Sequence, residues 1–90
     1  QTHSYGQAEI EEGGRAYRTS CIGCHGGDGK SVNGVDLARG PFKRASNDEG
    51  LAQIIMNGIP NTGMPASPVS LSRAHMIVAY MRSMGQAPVV

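Results

Sequence analysis

The stretch SCIGCHGGDG, residues 20–29, holds the only two cysteines of the chain in a C-x-x-C spacing, with His25 directly after the second. Four of its ten residues are glycine. A loop closed by cysteines this near in sequence restrains too little chain to staple a fold. The two thiols and the imidazole are therefore read as chemistry. On a helical turn, positions i and i+3 share a face, so Cys21 and Cys24 point the same way and His25 follows beneath them.

Three chemistries use such a spacing. A thioredoxin-like C-x-x-C needs a preceding strand in a βαβ unit, and no such strand is visible. A structural zinc site needs four ligands; His25 is too close to the cysteines to complete one, and His3 and His75 are isolated. Cys21-Ile22-Gly23-Cys24-His25 is the C-x-x-C-H pattern of c-type haem attachment. Two thiols on one face can add to the two vinyl groups along one haem edge. His25 is then carried under the ring, where its imidazole can bind iron. Gly23 lets the backbone lie close to the porphyrin.

Composition points the same way. Ninety residues make one domain, read here as 1–90, with residues 1–7 and 86–90 as flexible ends. A chain of this size buries only roughly 60–65% of its unfolded surface. It has one Phe, three Tyr, no Trp and thirteen Gly, so the large aromatics that fill small cores are scarce. A bulky cofactor would supply the missing area. The net charge of +1 argues against a nucleic-acid binder. Arg15, Arg18, Lys30, Arg39, Lys43 and Arg44 cluster in residues 15–44, whereas residues 1–14 carry only Glu9, Glu11 and Glu12 as charges. Such asymmetry can orient a docking partner. No stretch approaches the roughly 20 apolar residues needed to span a bilayer. The start at Gln1 suggests a processed or excised form.

Working outward, the spacing predicts three helices and no alternating strand. The first carries Ile10, Gly13, Gly14, Tyr17 and Cys21 on one face. Its two glycines cost roughly 1 kcal/mol each relative to Ala, so they are read as permitting close approach of another backbone. The second runs from about residue 47 to 56, capped by Asn47, with Asp48 and Glu49 at its positive end and Gly58 as its stop. Leu51, Ile54 and Ile55 form its apolar face. The third begins at Ser72 as N-cap and runs to Met84, with Ala74, Ile77, Val78, Met81 and Met84 in line. Residues 26–47 and 58–70 are long irregular connections, rich in Gly and Pro, of the kind that carries function.

These features resemble the class I cytochrome c family. Gly13-x-x-x-Tyr17-x-x-x-Cys21 resembles the family's glycine/aromatic spacing ahead of the first haem cysteine, and Ile77-Val78-Ala79-Tyr80 its patch on the C-terminal helix. The similarity spans about residues 8–84. It implies an all-α cytochrome c fold, with three or more helices wrapped around one covalent haem c. The N- and C-terminal helices would cross at a small residue, which explains Gly13. Many members place a Pro carbonyl against the axial histidine's N–H; here the matching stretch is 34–37, and Val35 is expected to offer that carbonyl. Leu37 is a candidate haem contact. Arg39, Lys43, Arg44 and Tyr80 are candidate partners for the haem propionates.

The second axial ligand has seven candidates: Met56, Met64, Met76, Met81, Met84, His3 and His75. Met56, Met76, Met81 and Met84 fall on helices, where Met is core filler. His75 reads as a helix-face histidine and His3 lies near a chain end. Met64 sits in GIPNTGMPAS, residues 58–67, between Pro60 and Pro65. This resembles the family's Gly-Met-Pro ligand loop, so His25 and Met64 are the expected iron ligands.

Such ligation implies a one-electron carrier, not an enzyme, working between redox partner proteins in a respiratory or related chain. The alternatives are a haem subunit of a larger dehydrogenase or oxidase, and a haem sensor or peroxidase with an open sixth position. The resemblance implies attachment of haem outside the cytoplasm, hence a periplasmic protein. A monomer is expected, with an acidic docking face on its partners opposite residues 30–44.

Overall fold

A computed structural model describes residues 6–27, 29–32, 35–37, 40, 42, 45, 47–60 and 62–84. The described residues form helices α1 (Gln7–Ser20), α2 (Ile22–His25), α3 (Asp48–Asn57) and α4 (Leu71–Met84), and none is in a strand.

Helix α1 starts where Glu9 reaches back to accept the Gly6 N–H at 3.0 Å, satisfying a donor that the helix itself cannot. It runs into the cysteine motif with one break. Cys21 still donates to the Tyr17 carbonyl at 2.8 Å, but its backbone (φ −119°) leaves the helix. The single turn α2 then restarts at Ile22. It ends at Gly26, whose N–H donates to the Ile22 carbonyl at 2.9 Å.

The expected crossing of the first and last helices is present. A Cβ on Gly13 would stand 1.8 Å from the Met76 carbonyl oxygen, far inside contact distance. One on Gly14 would meet the Tyr80 ring at 2.9 Å. Only hydrogen at these positions lets two backbones touch. Tyr17, with no exposed surface, lies in the same crossing, its ring centroid 5.3 Å from that of Tyr80.

Helix α3 begins as its sequence predicts, with Asn47 Oδ1 accepting the Gly50 N–H at 2.8 Å. It packs on α4 through Leu51, Ala52 and Ile55. Ile54, assigned to its apolar face by periodicity, is only half-buried. Two polar links join these helices. Asp48, only 5% exposed, accepts from Arg82 Nη2 at 2.6 Å and Nε at 3.1 Å. His75 Nε2 stands 2.9 Å from Glu49 Oε1.

The start of α4 corrects the sequence reading. Ser70, not Ser72, caps it: Ser70 Oγ accepts the Arg73 N–H at 3.1 Å and its carbonyl accepts from Ala74 at 2.9 Å. Both serines precede the apolar run, and propensity does not separate them. Leu71 is exposed at 40%, so the apolar periodicity gives no sign that the helix already includes it. The core is Ala16, Tyr17, Leu51, Ala52, Ile55, Ala74, Ile77, Val78 and Met81. Met81 is thus the core filler expected of a helical Met.

Candidate functional site

The site is built from the end of α1, the turn α2 and the irregular segments that follow. Tyr17 Oη donates to the Gly26 carbonyl at 2.5 Å. A buried phenol on α1 therefore pins the residue directly after His25. From the other side, the His25 carbonyl accepts the Ser31 N–H at 3.1 Å, and its N–H donates to the Cys21 carbonyl at 3.0 Å. His25 is held by backbone bonds before and after it.

Its imidazole is half-buried, and that burial depresses its pKa below the usual histidine value by penalising the charged form. A neutral imidazole has a lone pair to give to a metal and one N–H to place. Nδ1 is buried and has no hydrogen-bond partner among the described residues. The expected bond to the Val35 carbonyl is therefore absent. In this stretch Val35 donates to the Val32 carbonyl at 3.0 Å, Leu37 to that of Gly29 at 3.1 Å and Gly40 to that of Asp36 at 2.8 Å. Val35 lacks the fixed φ that a proline would impose at that position.

Cys21 is half-buried against the core. Cys24 lies within α2, on the same turn. A Cβ placed at Gly23 or Gly27 would find nothing within 4 Å, so the backbone on both sides of His25 borders open space. Leu37, Phe42, Met56 and Met84 are half-buried, packed on the core while keeping some apolar surface free. A half-buried imidazole with an unpartnered buried nitrogen, two cysteines on the preceding turn and open space at the glycines beside it fit a covalently held group that carries a metal.

Met64 is half-buried on the segment between α3 and α4. Its backbone is fixed from several directions. Its carbonyl accepts the Ile59 N–H at 3.0 Å and its own N–H donates to Thr62 Oγ1 at 3.2 Å. Thr62 Oγ1 in turn donates to the Ile59 carbonyl at 2.7 Å. Of the other candidates, Leu37 packs on the core beside Gly29, and Tyr80 sits in the α1–α4 crossing. Arg39, Lys43, Arg44 and His3 lie outside the described residues. His75 is engaged with Glu49 on the α3–α4 face. Sequence reasoning missed Phe42 as an apolar contact because a lone Phe in a glycine-rich connection has no periodicity around it.

Comparison with known proteins agrees with this chemistry. The family model for cytochrome c oxidase, cbb3-type, subunit III, matches residues 8–81. Cytochrome c-551 of Bacillus subtilis (strain 168) is 34% identical over 80 residues, covering 89% of this chain and 68% of that protein. No solved structure matches. Proteins of this family carry covalently attached haem c and transfer electrons with it. The crossing at Gly13, the C-x-x-C-H turn and these two matches make the chain a monohaem member of the class I cytochrome c family, with haem c as its cofactor.

Proposed function

We propose that the chain is an exported one-electron carrier with His/Met axial ligation. Cys21 and Cys24 form the thioether links to the haem, His25 is the proximal ligand and Met64 the distal one. Leu37 and Tyr80 contact the haem or its propionates. The observation that carries the reading is the geometry at His25: a half-buried ring directly after C-x-x-C, fixed by backbone bonds on both sides, with a buried Nδ1 that no described residue satisfies. When bound, the haem supplies the Fe(III)/Fe(II) couple, and a Met ligand raises its potential relative to bis-His ligation. The contribution of the chain is to hold its two ligands on preformed backbone, so that neither has to move when the charge changes. Filling both axial positions also denies substrates access to the iron, which separates a carrier from a sensor or peroxidase.

No helix among the described residues is long and apolar enough to cross a membrane. Family members are typically exported, and the periplasm is the compartment proposed. The partners are redox proteins with an acidic face opposite the basic run of residues 30–44. A second reading, a haem subunit of a larger oxidase complex, is favoured by the description of the matching family. A stable partner recovered with the native protein would select it.

Two measurements test the ligand set. Acid–acetone extraction should leave the colour on the protein; colour in the acetone would remove the thioether assignment. The ferrous protein should bind carbon monoxide slowly or incompletely at neutral pH. Fast and complete binding would overturn Met64 and open the sensor or peroxidase reading.

A further inference from the structure

The last turn of α3 does more than end a helix. Gly58 donates to the Ile54 carbonyl at 2.7 Å and adopts φ 72°, ψ −172°, a region open essentially to glycine alone. The next residue, Ile59, donates to the Met64 carbonyl at 3.0 Å. Ser67, beyond the loop, donates back to the Ile55 carbonyl at 3.0 Å. The loop that bears Met64 is thus closed on α3 at both ends, and Gly58 sits at the closure. A Cβ there would stand 2.7 Å from the Pro65 carbonyl carbon and from the Ala66 nitrogen, and 2.8 Å from the Met64 carbonyl oxygen. All three obstacles are backbone, so no side-chain rotation relieves the clash.

We propose that Gly58 is the positioning residue for Met64: its bare α-carbon lets the end of α3 press on the backbone of residues 64–66 and so sets where the thioether stands. This rests on Met64 as the distal ligand. Helix α3 is in turn fixed to α4 through Asp48–Arg82 and Glu49–His75. The position of the Met therefore derives from the α3–α4 pair, whereas that of His25 derives from α1 through Tyr17. The two ligands hang from different parts of the fold, and a change at Gly58 should disturb one and spare the other.

The test uses the holoprotein. The ferric form should show the weak long-wavelength thioether-to-iron charge-transfer band, and Met64→Ala should abolish it. Gly58→Ala should lose most of that band and lower the reduction potential, well below its own melting temperature, while the haem stays covalently attached and the helical circular dichroism is kept. If the wild type has the band and Gly58→Ala retains both band and potential, the role of Gly58 falls and Met64 stands. If the wild type lacks the band, both fall. A measurement on the unmutated holoprotein covers a variant that does not fold. The Gly58, Ile59 and Ser67 amides should exchange hydrogen together, as one opening unit with the end of α3. Fast exchange of Ile59 and Ser67, independent of Gly58, would overturn the proposal.

Discussion

At the scale of single residues, this protein is governed by where a side chain is missing. Gly13 is the sharpest case, because the obstacle to a Cβ there is the Met76 carbonyl of a different helix. A methyl group would force the α1–α4 crossing apart along its length. Gly13→Ala should cost about 3 kcal/mol, the upper end of core overpacking, read from denaturant unfolding of the holoprotein. A loss below about 0.5 kcal/mol, the range of neutral surface changes, would mean that the helices do not touch there. The sequence marks Gly13 as a contact point, because a glycine costs a helix stability that only a packing gain offsets. It also marks Gly58, but only as a helix stop. The backbone pressed against Gly58 comes from residues 64–66, and their approach is a tertiary fact with no local signature.

At the scale of elements, the helices are tied by ion pairs as well as by apolar faces. Glu12 on α1 accepts from Arg15 at 2.6 Å on its own helix and also from Arg73 on α4. Hydrogen bonds from Arg15 and then Arg73 hold its carboxyl below the ordinary value of 4.5. Because the folded value is lowered, the stabilisation is complete above pH 4.5 and is lost as the pH falls through the folded value. The melting temperature of the wild type should therefore drop more steeply below that pH than that of Glu12→Gln. Equal slopes would show that the α1–α4 tie contributes nothing. The effect should be small and shrink with added salt, since the carboxyl is at the surface. Helix positions, the Asn47 cap and the apolar faces of α1 and α4 were legible from periodicity. The cap at Ser70 was not: two serines were available, and the choice between them depends on where Pro68 and Val69 lead the chain onto the body.

At the scale of the whole molecule, the fully buried core belongs to the three long helices. The connection after α2 contributes only half-buried Leu37, Phe42 and Ala45 among its described residues. A haem packed against this segment would supply the apolar mass that it lacks. A Cys21→Ala/Cys24→Ala variant expressed without attached haem should keep part of its helical far-ultraviolet signal. It should lose its near-ultraviolet signal and its sharp melting transition. A cooperative melt close to that of the holoprotein would show that the chain carries its own core.

The sequence by itself determined the cofactor chemistry, the all-α class and the crossing point. Each depends on residues close together in the chain or on a periodicity: the C-x-x-C-H turn, the 3.6-residue apolar faces and the glycines that interrupt them. Only the tertiary structure decided how the segments around His25 and Met64 are held and how α1 is tied to α4. Tyr17 reaches Gly26, Glu12 reaches Arg73, and Gly58 meets residues 64–66. It also decided against the Val35 carbonyl as a partner for His25. The physical reason is that a contact between distant segments is fixed by the packing of whole helices. A hydrogen-bond donor or a bare α-carbon in the sequence does not name its counterpart.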